Sequence, residues 1–185
     1  MTAAILQLAQ PEPKQSYFVE LTRAMGMLAE HEKTIFIGQA VAYPGQIAYR
    51  TFELVPAHKR IEMPVCEDFQ VGLSSGLAMA GFIPLSFFPR WDFLVIAANQ
   101  LVNHLDKLPV MGWPDAKVII RTSVGRNKPL DAGPQHTQNH SSAFKQMLTK
   151  MQVLELSQAE DVLPAYRMAL YDKGSFIVVE RQDRY

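Results

Sequence analysis

One cysteine in 185 residues, Cys66, leaves no partner for an intrachain disulfide and fits a reducing compartment, with the cytoplasm as the default. No apolar run approaches the roughly 20 residues that a membrane-spanning helix needs. The N-terminus lacks the basic stretch followed by an apolar one that marks a secretory signal. Eighteen basic residues balance eighteen acidic ones, and a net charge of zero gives no handle on nucleic acid or an anionic membrane. Phosphate-binding glycine signatures are missing too: neither G-x-G-x-x-G nor G-x-x-x-x-G-K-[ST] occurs. His136 and His140 stand four apart, but without an H-E-x-x-H pattern or a nearby cysteine they make no case for a metal site. No G-x-S-x-G elbow supports a serine hydrolase, and no motif marks Cys66 as a nucleophile.

What is present is an ordinary globular composition, 48% hydrophobic, in a chain long enough for one well-buried domain. Residues 1–14, with Pro11 and Pro13, read as a tail or lead-in to a domain spanning 15–185. Phe18, Leu21, Met25 and Leu28 give a helical spacing over Tyr17 to His31. Short apolar runs predict strands at Thr34–Ile37, Arg60–Val65, Phe82–Phe87, Lys117–Arg121, Gln152–Leu156 and Ser175–Glu180. Pro84 argues that the third of these is a strand beginning or an edge. Helices are expected at Asp68–Gly81, Trp91–Lys107 and Ser141–Lys150, with a polar loop over Thr122–Pro134. Ser157 and Glu160 form a capping-box pattern that opens a last helix running to about Tyr171. The alternation predicts a three-layer α/β fold around a mainly parallel sheet of about six strands. Gly72, Gly76 and Gly81 cost helix stability, which close packing of their helix would offset.

Glu67 falls at a turn between strand and helix, the edge where open α/β sheets bind ligands. A carboxylate at a helix N-terminus also gains about 0.3–1 kcal/mol from the macrodipole, so position alone does not decide its role. Phe87, Phe88, Trp91 and Phe93 cluster after the third strand, as core or as a stacking wall for a flat ring. His136 sits in a polar loop before a helix.

Four segments in order carry more weight than any one of them. Met63-Pro64-Val65-Cys66-Glu67, Gly81-Phe82-Ile83-Pro84, Ala98-Asn99-Gln100-Leu101-Val102-Asn103 and Gly133-Pro134-Gln135-His136-Thr137-Gln138 resemble the pyrimidine-binding domain of transketolase-like thiamine diphosphate enzymes. The nearest version is the N-terminal half of the beta subunit of 2-oxo acid dehydrogenase first components, matched from about Tyr17 to Tyr185. The resemblance implies that Glu67 hydrogen-bonds the aminopyrimidine ring nitrogen and so promotes loss of the thiazolium proton. The cofactor then serves as electron sink. It implies that Phe93 stacks on the pyrimidine, that Val65 lines the same ring, and that His136 approaches the substrate side.

Departures from the family are specific. Gln39 replaces the usual glutamate after the first strand, Asn99 a common aspartate, Phe87 a common glutamate, and Pro89 a residue that is often polar. The G-D-G…N motif that binds Mg²⁺ and diphosphate is absent, and the chain ends where the pyrimidine domain ends in the family. The resemblance therefore implies half of a site. An alpha-like diphosphate-binding subunit would hold the Mg²⁺, in an alpha2beta2-type assembly built on a homodimer of this chain. A non-catalytic binding or regulatory module, or a fragment of a longer chain, is the competing reading.

Overall fold

The computed structural model describes residues 16–125 and 131–185; the expected lead-in at 1–14 lies outside them. Helix α1 (Tyr17–Glu30) leads into β1 (Thr34–Gly38), and two 3-10 turns (Ile47–Phe52 and Ala57–Lys59) lead to β2 (Arg60–Glu62). Then come α2 (Glu67–Met79), β3 (Ile83–Phe87), α3 (Trp91–Leu94) and an irregular helical run to Met111. The second half comprises β4 (Ile119–Val124), α4 (Ser141–Met147), β5 (Gln152–Glu155), α5 (Ala159–Tyr171) and β6 (Phe176–Arg181). The six strands form one sheet in the order β2-β1-β3-β4-β6-β5, every pair parallel. The α/β expectation holds.

Burial on both faces explains why the strands read as unbroken apolar runs rather than alternating ones. Leu85, Phe87, Ile119, Phe176 and Val178 face a core shared with α1 and α5, which supply Leu21, Met25, Leu28, Val162 and Tyr166. Ile120, Ile177 and Val179 face the other core, filled by Val71 of α2, Trp91, Leu101, Leu105 and Phe144. Successive residues of one strand thus enter opposite layers, as the period of two requires.

Pro84 marks a strand beginning, but not an edge. The Ile83 N–H reaches the Lys33 carbonyl on the β1 side, so the Pro84 nitrogen faces β4. The register with β4 starts only at Leu85, paired with Ile119, and no donor is missed at Pro84. Strand β2 stops earlier than the apolar run suggests, since Pro64 has no N–H to continue the ladder.

Three expectations fail for physical reasons. The helix read as continuous from Trp91 to Lys107 changes winding, with 3-10 turns at Val95–Ala97 and Leu105–Met111 on either side of a π turn at Gln100–His104. Its buried apolar residues are spaced by three (Trp91, Leu94, Ala97), then by four (Leu101, Leu105), then by three again (Leu108). Keeping all of them on the core needs a tightened, then widened, then tightened turn. The loop read from Thr122 instead begins after Val124: Thr122 and Ser123 are buried in β4, and the Ser123 hydroxyl donates to the Pro89 carbonyl at 2.7 Å. The α5 capping box uses Gln158 and Asp161, whose carboxylate accepts the N–H groups of Ser157 and Gln158 at 2.9 and 2.8 Å.

The glycines of α2 do not serve close packing within the chain. A Cβ at Gly76 would meet nothing within 4 Å, and one at Gly72 would reach only Gln100. Gly81 is used for its backbone, which turns left-handed (φ +91°) to end the helix.

Two carboxylates anchor this frame from inside. Glu180 of β6 accepts Arg121 Nε and Nη2 at 2.9 and 3.0 Å with both side chains fully buried. It also accepts the hydroxyls of Tyr166 and Tyr185, while Arg121 Nη1 donates to Thr51 Oγ1 at 2.8 Å. The guanidinium lies over the Phe52 and Phe87 rings, 4.8 and 5.1 Å from their centroids. Asp106, also buried, accepts the backbone N–H groups of Thr149, Lys150 and Met151 and the Lys107 ammonium.

Glu180→Ala should therefore cost about 3–5 kcal/mol in chemical denaturation, because it leaves a buried guanidinium without its counter-charge. A loss below about 1 kcal/mol would remove the pair from this anchoring role. Burial pushes the Asp106 pKa up, but the hydrogen bonds from Lys107, Met151, Lys150 and Thr149 outweigh it and hold the carboxyl well below the usual range. A depressed folded pKa gives stability that is present above the ordinary carboxylate pKa of about 4 and lost as pH falls below it. Unfolding curves from pH 6 downward should thus slope less for Asp106→Asn than for the parent chain; parallel slopes would refute the assignment.

Candidate active site

All six strands are parallel, so their carboxyl ends share one edge. From β1 the chain crosses to β2 on one side and then returns past β1 to β3 on the other. That reversal opens a crevice between the carboxyl ends of β1 and β3.

The β1 end is built for close approach. A Cβ on Gly38 would stand 2.5 Å from the Phe87 carbonyl oxygen, so only glycine lets the two strand ends come together. The chain then passes Ala40 in a left-handed conformation, φ +55°. Glu62 at the end of β2 stabilises this turn: its carboxylate accepts the N–H groups of Ala40, Val41 and Ala42 at 2.5, 3.0 and 2.8 Å. The turn presents Gln39, whose Nε2 donates to Glu67 Oε1 at 3.3 Å and whose carbonyl accepts Gln46 Nε2 at 3.0 Å.

Glu67 is the first residue of α2 and is 5% exposed. Among the described residues its side chain makes that single hydrogen bond and no ion pair. Its carboxylate is thus buried, yet largely uncommitted. Val65, on the connection before it, is 77% exposed.

Beyond Gln46 the crevice widens into a cleft of about 300 Å³ lined by Gln46, Ile47, Arg90, Phe93, His136 and Gln182, among others. The Phe93 and His136 rings meet inside it, centroids 5.1 Å apart and planes tilted by 50°. A short turn (Pro134–His136) entered through the left-handed Gly133 carries the histidine, and its Nδ1 lies 3.3 Å from the Ala132 carbonyl. Phe93 is half-buried, whereas Phe87, Phe88 and Trp91 are core residues at 1, 0 and 0% exposure. The aromatic cluster therefore divides, and only Phe93 is available as a stacking surface.

Phe93 and His136 thus share one cleft, Glu67 connects to it through Gln39 and Gln46, and Val65 stands outside it. The departures seen in sequence have local explanations. Gln39 keeps a hydrogen bond to Glu67 through its amide, and Phe87 packs its ring against Arg121. Asn99 is exposed and accepts Asn103 Nδ2 at 2.8 Å. Sequence reading overlooked Gln46, Arg90 and Gln182. The last two follow β3 and β6 closely, and the rule that ligands gather at strand carboxyl ends marks both positions. Among the described residues no three His, Cys, Asp or Glu side chains are grouped to hold a metal, and no described helix is long and apolar enough to cross a membrane.

Glu62→Gln should loosen the turn, because an amide offers one acceptor oxygen where the carboxylate offers two. Hydrogen exchange at Ala40, Val41 and Ala42 should accelerate by about tenfold or more, the equivalent of ~1–3 kcal/mol of lost protection. Unchanged exchange there would show that the turn holds Gln39 without Glu62.

No protein-family model matches the chain. Its curated relatives include the pyruvate dehydrogenase E1 component subunit beta of Cyanidium caldarium, 28% identical over 122 residues (65% of this chain, 36% of that protein). The Rickettsia felis subunit of the same name is 26% identical over 159 residues (83% and 48%). The mitochondrial Homo sapiens subunit is 24% identical over 163 residues (85% and 45%). The chain spans under half the length of these relatives. Among solved structures, a split-gene transketolase described as an inactive beta4 tetramer superposes with a TM-score of 0.71 at 17% identity, over 92% of this chain and 52% of that one. Transketolase from Campylobacter jejuni gives 0.69 at 15%, over 93% and 26%. In fold, the chain is an α/β domain similar to transketolase, and in sequence it is similar to beta subunits of pyruvate dehydrogenase E1.

Proposed function

We propose that this chain is the pyrimidine-binding subunit of a split thiamine diphosphate-dependent enzyme, completed by a separate alpha-like subunit that holds the diphosphate and its Mg²⁺. The observation that carries the reading is the shared cleft of Phe93 and His136, connected through Gln46 and Gln39 to the buried carboxylate of Glu67. Those residues fit an aminopyrimidine: a half-buried ring to stack on, and, joined to its cleft through Gln46 and Gln39, a buried carboxylate with hydrogen-bonding capacity to spare.

When bound, the cofactor supplies an electron sink for cleaving the bond next to a carbonyl. The chain's own residues do the rest. Glu67 would hold a hydrogen bond at the ring nitrogen, with Gln39 fixing the orientation of its Oε1. Phe93 orients the ring by stacking. His136 faces the substrate and binds it or moves a proton there. The reaction class is 2-oxo acid decarboxylation with acyl or ketol transfer.

The partner's face is supported by α2 and the segment packed beside it. Val65, Phe69, Val95 and Ile96 are all exposed there, at 77, 56, 40 and 66%. The open glycine stripe of α2 on the same helix leaves room for close approach of another chain. A two-of-each heterotetramer in the cytoplasm, where the exposed Cys66 stays reduced, fits this surface.

Calorimetry with the chain alone should show weak or no thiamine diphosphate binding, with or without Mg²⁺. Tight Mg²⁺-dependent binding by this chain alone would sink the half-site proposal. In the assembled pair, Glu67→Gln should slow proton exchange at the thiazolium carbon by about 10²-fold or more while leaving assembly intact. Exchange at the parent rate would take the role from Glu67, and full assembly with no exchange in the parent pair would favour a non-catalytic module.

A further inference from the structure

The cleft contains two polar groups that the cofactor contacts leave unused. Arg90 sits between β3 and α3, is 7% exposed and lines the cleft. Its Nη1 donates to the Gly125 carbonyl at 2.7 Å, the single hydrogen bond from this guanidinium among the described residues. It forms no ion pair there either. The acids whose charge reaches it are committed elsewhere: Asp183 to a bidentate pair with Arg181 at 3.0 and 2.8 Å, and Asp92 to Gln138 Nε2 at 3.0 Å. Gln182, 8% exposed, lines the same cleft, and its Oε1 has no hydrogen-bond partner among the described residues.

A buried cation without a counter-ion and a buried amide oxygen without a partner both oppose folding. An anion in the cleft relieves the first cost directly. It relieves the second when the amide turns over and offers its NH₂ group, or when the ligand carries a hydroxyl that donates to Oε1. The guanidinium is a planar fork that matches a carboxylate or phosphate through paired N–H groups, which a lysine at this place would not supply. Burial also pulls the Arg90 pKa down, the direction in which a bound anion would be most effective at restoring it.

We propose that Arg90 and Gln182 hold the oxyanion end, carboxylate or phosphate, of the substrate in this cleft beside His136. The anion site rests on the cleft alone; its assignment to a substrate rests on the function proposed above.

The test is a titration of the full ¹⁵N-labelled chain, following the Arg90 Nε–H and Gln182 side-chain amide signals. Pyruvate and inorganic phosphate are added separately, with sodium chloride at equal ionic strength as control. One or both anions should move both signals saturably while chloride does not, and the anion that succeeds identifies the source as carboxylate or phosphate. Arg90→Gln should weaken the affinity read from Gln182 by about tenfold or more, and Arg90→Lys should weaken it less. Where Arg90→Gln does not fold, Arg90→Lys and Gln182→Leu carry the comparison, each expected to bind more weakly than the parent. Absence of saturable shifts with either anion, or affinity unchanged in these variants, overturns the proposal. Failure here with thiamine diphosphate chemistry intact in the assembled pair would remove the anion site alone. A saturable anion site in a chain whose pair performs no such chemistry would remove the cofactor reading alone.

Discussion

The buried pair of Arg121 and Glu180 ties together elements that are distant in the chain. Arg121 belongs to β4 and reaches Thr51 in the turn after β1; Glu180 belongs to β6 and receives Tyr166 from α5 and Tyr185 beyond β6. Tyr17, at the start of α1, accepts the Arg181 N–H and donates to the Leu156 carbonyl, closing the ring of contacts around the same strand ends. Two opposite charges in an apolar layer are expensive unless every lone pair and N–H is engaged, and here the rings of Phe52 and Phe87 cover what the hydrogen bonds leave. The pair therefore specifies one arrangement of the carboxyl edge. That edge carries every group assigned to chemistry.

Phe87 shows how one substitution serves frame and site together. Its ring covers Arg121 on the core side, and its carbonyl meets the chain where Gly38 permits contact. A carboxylate at this position, common in the family it resembles, would stand over the guanidinium and compete with Glu180 for it. An apolar ring leaves the Arg121–Glu180 pair undisturbed.

Much of the fold was legible because burial on both faces writes itself as short β-branched runs, and because α1 repeats its apolar residues at helical spacing. What stayed hidden was polarity used inside the protein. Thr122 and Ser123 read as loop residues because hydroxyls favour turns, yet they are buried in β4. Glu180 reads only as the last residue of a strand, since nothing local reveals a partner 59 positions away in Arg121. In the candidate site, Glu67, Phe93 and His136 were singled out through an ordered set of motifs. Gln46, Arg90 and Gln182 were not, because their meaning comes from a cleft that only the folded sheet edge creates.

The uneven winding between Trp91 and Met111 fixes a length. Its first turn carries Phe93 into the cleft, and near its far end Asp106 is fastened to the backbone of Thr149, Lys150 and Met151. With both ends held, the segment acts as a ruler, and its tolerance to insertion differs from that of an ordinary surface helix. One residue added between Phe93 and Asp106 would turn one end against the other by about 100°. Either the aromatic ring would leave the cleft or the carboxylate would leave its ring of donors. Descendants of this chain are free to vary what the segment shows to solvent, but not how many residues it contains.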